Sequence, residues 1–296
     1  MRKPVFTGVC PAMVTPFDAN GSVNYDAFGI LIDQQIESGV DAICVAGTTG
    51  ETSTLSVREH ISIVNFCVKR VNKRVKVIAG AGSNDTSAAV YYCRHAQDCG
   101  ADALLLVTPY YNKASQNGLL KHYEYIADRV DLPLILYNVP SRTGVSFTAE
   151  TYKILSENPK FNGVKEASGD FSLLARTRHL CGEDFYIWSG NDNQVVPMMS
   201  LGAKGVISVV CNILPQLMAN MTHACLDEDF TTARKLQIEY YDFIESLFID
   251  VNPIPIKYAM NLAGMNAGRL RLPLCEMSDD KQNIVKDAMN RIGLLS

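Results

Sequence analysis

The chain of 296 residues has no apolar stretch approaching the ~18 uninterrupted positions that a membrane-crossing helix needs. It has no run of like charge dense enough for a nucleic-acid or membrane patch, and its net charge is only −4. The densest basic stretch, Lys69-Arg70-Val71-Asn72-Lys73-Arg74, closes a helical pattern, where it complements the helix dipole. Nine cysteines occur, yet none forms a Cys-x-x-Cys pair. Their odd number argues against a complete disulfide framework and for a reducing compartment. Cys93, His95 and Cys99 lie close together but lack zinc-ligand spacing, so no metal is expected there. No Gly-x-Gly-x-x-Gly follows a strand pattern, because Gly80-Ala81-Gly82-Ser83-Asn84-Asp85 lacks the third glycine. No P-loop is present either, since Gly47-Thr48-Thr49-Gly50 runs into Glu51 and Thr52 rather than Lys. Met1-Arg2-Lys3 resembles the start of a secretion signal, but Pro4 and Pro11 interrupt the next ten positions and no apolar core segment appears. The expectation is a cytoplasmic protein that binds neither membrane nor nucleic acid.

What is present is an alternation. Short apolar, β-branched runs occur at Gly8–Phe17, Ala42–Gly47, Val75–Gly82, Ala103–Pro109, Leu134–Pro140, Gly163–Ser168, Phe185–Gly190 and Gly205–Val210. Each is followed by a longer helical pattern, the spacing expected of βα units. Eight such units predict a closed (β/α)8 TIM barrel, with a doubly wound open sheet as the alternative. Ser56-Val57-Arg58-Glu59 reads as a capping box opening a helix to about Val71, with Ile61, Val64, Val68 and Val71 on its apolar face. Gly100 and Gly202 fall where a left-handed helix C-cap is expected. From about Leu214 onward only helices are legible, broken by Asn252-Pro253-Ile254-Pro255. The predicted organisation is a catalytic barrel over 1–228 and a C-terminal helical region over 229–296.

Barrel enzymes carry their chemistry at the C-terminal ends of the strands. Strand six ends Gly163-Val164-Lys165-Glu166-Ala167-Ser168-Gly169. A lysine inside a buried strand is costly as a cation, and a neutral amine is what attacks a carbonyl to form an imine. The competing reading is a surface Lys165–Glu166 pair, although neighbouring strand residues point to opposite faces. Strand two ends Gly47-Thr48-Thr49-Gly50-Glu51, whose hydroxyls and amides could hold a carboxylate or form a plain turn. Strand five ends Tyr137-Asn138-Val139-Pro140-Ser141-Arg142, offering a proton-shuttling phenol and a carboxylate clamp, or a rim tyrosine and an exposed arginine. Strand four ends Thr108-Pro109-Tyr110-Tyr111-Asn112, aromatics that suit a site wall, an interface or simple packing. All five histidines fall in helical patterns, which leaves a His-based triad without a strand-end residue.

Taken in order along the chain, these motifs resemble the dihydrodipicolinate synthase / N-acetylneuraminate lyase superfamily from Phe6-Thr7-Gly8 to the C-terminal helices. The resemblance implies that Lys165 forms an imine with pyruvate, which Thr48 and Thr49 hold by its carboxylate, with Gly190 and Ile207 as backbone positions of the pocket. It implies a proton relay of Tyr137, Thr49 and Tyr111, the last reaching in from a neighbouring subunit of a homotetramer or dimer. Arg142 would bind the carboxylate of aspartate semialdehyde, the aldehyde that the pyruvate enamine attacks. No metal or organic cofactor is implied, because the imine is the electron sink. Arg142, together with Thr48 where the sialic-acid branch has Ser, places the chain nearer the synthase branch, as do Asn252-Pro253-Ile254-Pro255-Ile256-Lys257 and Leu270-Arg271-Leu272-Pro273-Leu274. His60, Asn84 and Tyr110 match an inter-subunit lysine-effector pocket of the family. A glutamate expected there is Ala88 and a ring position is Val57. Loss of a charged hydrogen bond weakens binding roughly tenfold to a hundredfold, so lysine is expected to inhibit weakly or not at all.

Overall fold

The computed structural model describes residues 2–295, so Met1 of the signal-like start lies outside the described residues. Eight parallel strands form one sheet: β1 (Gly8–Pro11), β2 (Ala42–Val45), β3 (Lys76–Gly80), β4 (Ala103–Val107), β5 (Leu134–Asn138), β6 (Phe161–Glu166), β7 (Tyr186–Ser189) and β8 (Gly205–Ser208). Their order is β1-β8-β7-β6-β5-β4-β3-β2. The two ends of that sheet meet through a parallel bridge between Ala12 and Cys44, with Met13 N donating to Cys44 O at 2.9 Å. This is the predicted TIM barrel, and closure leaves no open sheet edge.

Each strand is shorter at its C-terminal end than its apolar run. The surplus residues leave the ladder at the rim of the barrel, where single turns form at Thr52–Thr54, Pro140–Thr143, Asp192–Gln194 and Val210–Asn212. None of these turns was legible as an element. β6 also starts earlier than predicted, at Phe161.

Alternation along the strands sorts side chains into two cores. Cys10, Ala42, Cys44, Ile78, Leu105, Ile135, Tyr137, Trp188 and Ile207 fill the barrel interior, while Ile43, Val45, Leu136, Val164 and Ile187 pack outward under the helices. The floor is plugged. Phe6 stacks on Trp188 with centroids 5.2 Å apart, Trp188 Nε1 donates to Phe6 O at 3.2 Å, and Arg2 donates to Ser156 O at 2.7 Å.

The capping box forms as expected, with Glu59 N donating to Ser56 Oγ at 3.3 Å and Ser56 N to Glu59 Oε2 at 2.9 Å, opening the helix Val57–Val71. Its buried face is His60, Ile63, Val64, Cys67 and Val71, not the stripe of Ile61, Val64, Val68 and Val71. Ile61 and Val68 sit one position, about 100° by helical geometry, from that face and are half-buried flanks. Gly100 and Gly202 take the expected positive φ, 88° and 92°. The basic stretch does more than meet the dipole, because Arg74 pairs with Asp33 of the helix Tyr25–Glu37 at 2.6 Å. All nine cysteines are free, and six of them are buried.

After β8 come helices Pro215–Leu226, Phe230–Glu239, Tyr241–Ser246, Ile254–Leu262 and Asp279–Arg291. The break falls before Ile254 rather than across it. Pro255 sits in the first turn of its helix, where a missing N–H breaks nothing. The chain then returns over the barrel mouth, where Arg269 N donates to Phe17 O at 3.2 Å.

Candidate active site

Strand alternation removes the surface-pair reading of Lys165. Lys165 is 5% exposed and shares the barrel interior with Tyr137, its Nζ lying 4.4 Å from the centre of that ring. Glu166 points the other way, into the outer layer. There it accepts from Asn138 Nδ2 at 3.0 and 3.1 Å, from Tyr152 Oη at 3.0 Å and from Ser168 N at 2.8 Å. Burial pushes the Glu166 carboxyl up, and these donors pull it back. The two residues are therefore not a surface pair.

The amine stands in a small cavity lined by Cys44, Gly47, Thr48, Gly80 and Tyr137 among others. Ile207 is buried in the same interior. Gly190, just past β7, lies against the lysine stem. A Cβ there would come 2.7 Å from Ala167 Cβ, a clash, and 3.1 Å from Lys165 Cε, close enough to press on the stem.

Thr48 and Thr49 sit in a turn flanked by two left-handed residues, Ala46 at φ 57° and Glu51 at φ 54°. Backbone strain of this kind persists only where the surroundings hold it. Glu51 is held from the C-terminal helices. Lys257 Nζ reaches Glu51 Oε1 at 2.7 Å and the carbonyls of Thr15 and Arg269 at 2.9 and 2.5 Å, while Arg271 N donates to Glu51 Oε2 at 2.9 Å. Burial lowers the Lys257 ammonium, with Glu51 opposing it. Thr48 lines the small cavity. Thr49 is buried and accepts from Asn252 Nδ2 at 2.9 Å. Among the described residues no hydrogen bond joins Thr49 to Tyr137.

Above the cavity opens a cleft of about 850 Å³. Arg142, on the turn Pro140–Thr143, and Tyr111 both line it, and Arg142 Nη2 donates to Asn252 O at 3.3 Å. Tyr111 is not gathered round the lysine in this chain. It is 89% exposed with φ 72°, a strained conformation for a tyrosine, so nothing in its own subunit covers the ring. His60, Ala88 and Tyr110 share the cleft, whereas Asn84 and Val57 do not line it. His60 Nε2 lies 2.8 Å from Gly80 O and so carries the proton, while burial lowers its pKa. Val57 is an exposed first-turn residue of its helix.

Three residues beyond the predicted set shape the site: Lys257, Asn252 and Asp192. Asp192 is 1% exposed. It accepts the amides of Val209 and Val210 at 2.9 and 3.1 Å and so ties the end of β7 to the end of β8 beside Ile207. Burial raises its carboxyl; Ser208, those two amides and the charge of Lys165 oppose the rise. Asp192 lies in no run with a recognisable signature, whereas Asn252 and Lys257 are the end residues of the segment that resembles the synthase branch, which gave neither of them a role.

An amine at the bottom of a one-ended pocket, on the sixth strand of a (β/α)8 barrel, defines a class: the Schiff-base-forming lyases. Comparison with known proteins narrows it. The model of the Dihydrodipicolinate synthetase family matches residues 5–292, and the chain belongs to that family. The chain is 46% identical over 295 residues to the 4-hydroxy-tetrahydrodipicolinate synthase of Acetivibrio thermocellus, covering 100% of both. The solved dihydrodipicolinate synthase from Aquifex aeolicus superposes with a TM-score of 0.95 at 42% identity, covering 98% of this chain and 99% of that one. The enzyme from Cyanidioschyzon merolae, solved with lysine bound, gives 0.96 at 39% identity, covering 99% and 100%.

Proposed function

We propose that this enzyme condenses pyruvate with L-aspartate-4-semialdehyde to give 4-hydroxy-tetrahydrodipicolinate, the committed step of diaminopimelate and lysine synthesis. The observation that carries the reading is Lys165, buried in the barrel interior with its amine against the Tyr137 ring and its neighbour Glu166 turned away. In this reading Thr48 and Thr49 hold the pyruvate carboxylate and the Lys165 amine forms the imine. Loss of a proton from the bound methyl group gives the enamine, which attacks the aldehyde carbon. Tyr137, Thr49 and the Tyr111 of a neighbouring subunit move the protons, and Arg142 at the cleft wall clamps the second carboxylate. Cyclisation then returns the free lysine. The chain acts in the cytoplasm as a homotetramer of tight dimers or as a dimer, with 1–228 as the catalytic barrel and 229–296 as the appendage. A sister aldolase acting on a keto-sugar acid would have no use for Arg142.

The test couples turnover of the two substrates to the NADPH-dependent reductase that consumes the product. Wild type turns over, and Lys165→Ala loses several orders of magnitude. Pyruvate trapped on Lys165 by borohydride without turnover would keep the imine and move the protein to a sister aldolase. In the same assay lysine leaves the rate almost unchanged, because Ala88 stands in the cleft where the effector's ammonium would need a carboxylate. Inhibition at low-millimolar lysine or below would overturn that part.

A further inference from the structure

Asn252 lies in the C-terminal region, far along the chain from every strand end, yet it touches two of them. Its side chain donates to Thr49 Oγ1 at 2.9 Å and its main-chain carbonyl accepts from Arg142 at 3.3 Å. We propose that Asn252 is a positioning residue that sets the direction of the Thr49 hydroxyl proton and thereby aims the proton relay at the substrate. The proposal rests on the reading that Thr49 belongs to that relay.

A hydroxyl has one proton and two acceptor lone pairs, and a carboxamide nitrogen can only donate. With Asn252 Nδ2 placed on one lone pair, the Thr49 proton must point elsewhere. Thr49 is 2% exposed, so bulk water does not take that proton. The amide is fixed without slack. Asn252 is itself 7% exposed and precedes the helix Ile254–Leu262, whose Lys257 is locked onto Glu51 two residues beyond Thr49. Both ends of the Asn252–Thr49 contact are thus tied to one buried ion pair.

The other amide atom makes the functional case. Asn252 Oδ1 is buried and has no hydrogen-bond partner among the described residues. An orphaned buried acceptor destabilises a fold, and such a group is retained where something other than stability holds it. Because Arg142 is bound by the main chain and Thr49 by the side chain, replacing the side chain separates the two: proton transfer suffers while the clamp for the second substrate stays.

The experiment compares the full-length enzyme with Asn252→Ala and Asn252→Asp. The measurements are steady-state kinetics across pH, thermal melting, and borohydride trapping with pyruvate. Asn252→Ala is expected to lower kcat roughly tenfold to a hundredfold, the scale of a misaimed acid–base group, with KM for the aldehyde within about twofold and the melting temperature not lowered. Asn252→Asp is expected to lose more at neutral pH, because an ionised carboxylate accepts only and draws the Thr49 proton to itself. Its activity should recover toward acidic pH, where the protonated acid donates again. An unchanged kcat in Asn252→Ala overturns the proposal, as does a loss in which kcat, KM and melting temperature move together. A wild type that traps no pyruvate would instead sink the underlying imine reading, whatever the Asn252 variants do.

Discussion

At the scale of single residues, the site depends on what is missing as much as on what is present. Gly190 lacks the methyl that would press on the Lys165 stem from 3.1 Å. Gly190→Ala is expected to slow imine formation while the barrel stays folded, by less than the roughly hundredfold that a 1 Å misplacement can cost, because the stem has to give by only a fraction of that. Borohydride trapping rates beside a circular dichroism melt check it; an unaltered trapping rate would show that the stem has room to spare. Without the family resemblance, Lys165 was legible in the sequence only as a choice between nucleophile and surface ion pair, because composition does not say which face of a strand is interior. The partners of Glu166 remove the ion-pair reading: Asn138, Tyr152 and Ser168 are all on the outer side. Asp192 was not legible at all, and Asn252 only as one residue of a segment resembling the synthase branch. Each is placed by hydrogen bonds to residues distant in the chain, and no periodicity or spacing encodes those.

At the scale of elements, the C-terminal segment is bolted to the helix after β2. Arg271 donates to Glu59 at 3.0 and 2.5 Å and to the carbonyls of Thr54 and Gly21 at 2.8 and 2.6 Å. The hydrogen bonds from Arg271 are the first cause holding the Glu59 carboxyl down at about 2. A carboxyl lower in the folded state than in the unfolded one stabilises the fold above its unfolded value, and that contribution fades as pH falls toward the folded one. The melting-temperature gap between wild type and Glu59→Gln should therefore be widest near neutrality, hold to about pH 5, and close as pH falls from there toward about 2. A gap independent of pH would mean that Glu59 acts through its shape alone. The helix start at Ser56 and Glu59 was readable because a capping box is local. The partner of Glu59, 212 positions away, was not, and neither was Lys257 as the partner of Glu51. Strand ends were overrun for a related reason: apolar rim residues look like strand until the ladder is seen to stop.

At the scale of the whole molecule, alternation of apolar runs and helical patterns was enough to give the barrel, since eight βα units close in few ways. It said nothing of how chains meet, and the site as proposed is incomplete in one chain. Tyr111, 89% exposed, is proposed to work in a neighbouring subunit's site. Mixing Lys165→Ala with Tyr111→Phe subunits, each inactive or nearly so, is expected to restore activity, because a mixed pair assembles one site with both an intact lysine and an intact tyrosine. Mixtures no more active than their parts would place Tyr111 outside the relay.

The plugged floor fixes something kinetic. Phe6, Trp188 and Arg2 leave the barrel a well with a single opening, so molecules form a queue. In the proposed reaction, whatever bonds to Lys165 arrives first, the water its bonding releases leaves past the rim, and only then can a second guest settle between Arg142 and the bound first one. The sequence of events in the reaction is written in depth, from floor to rim.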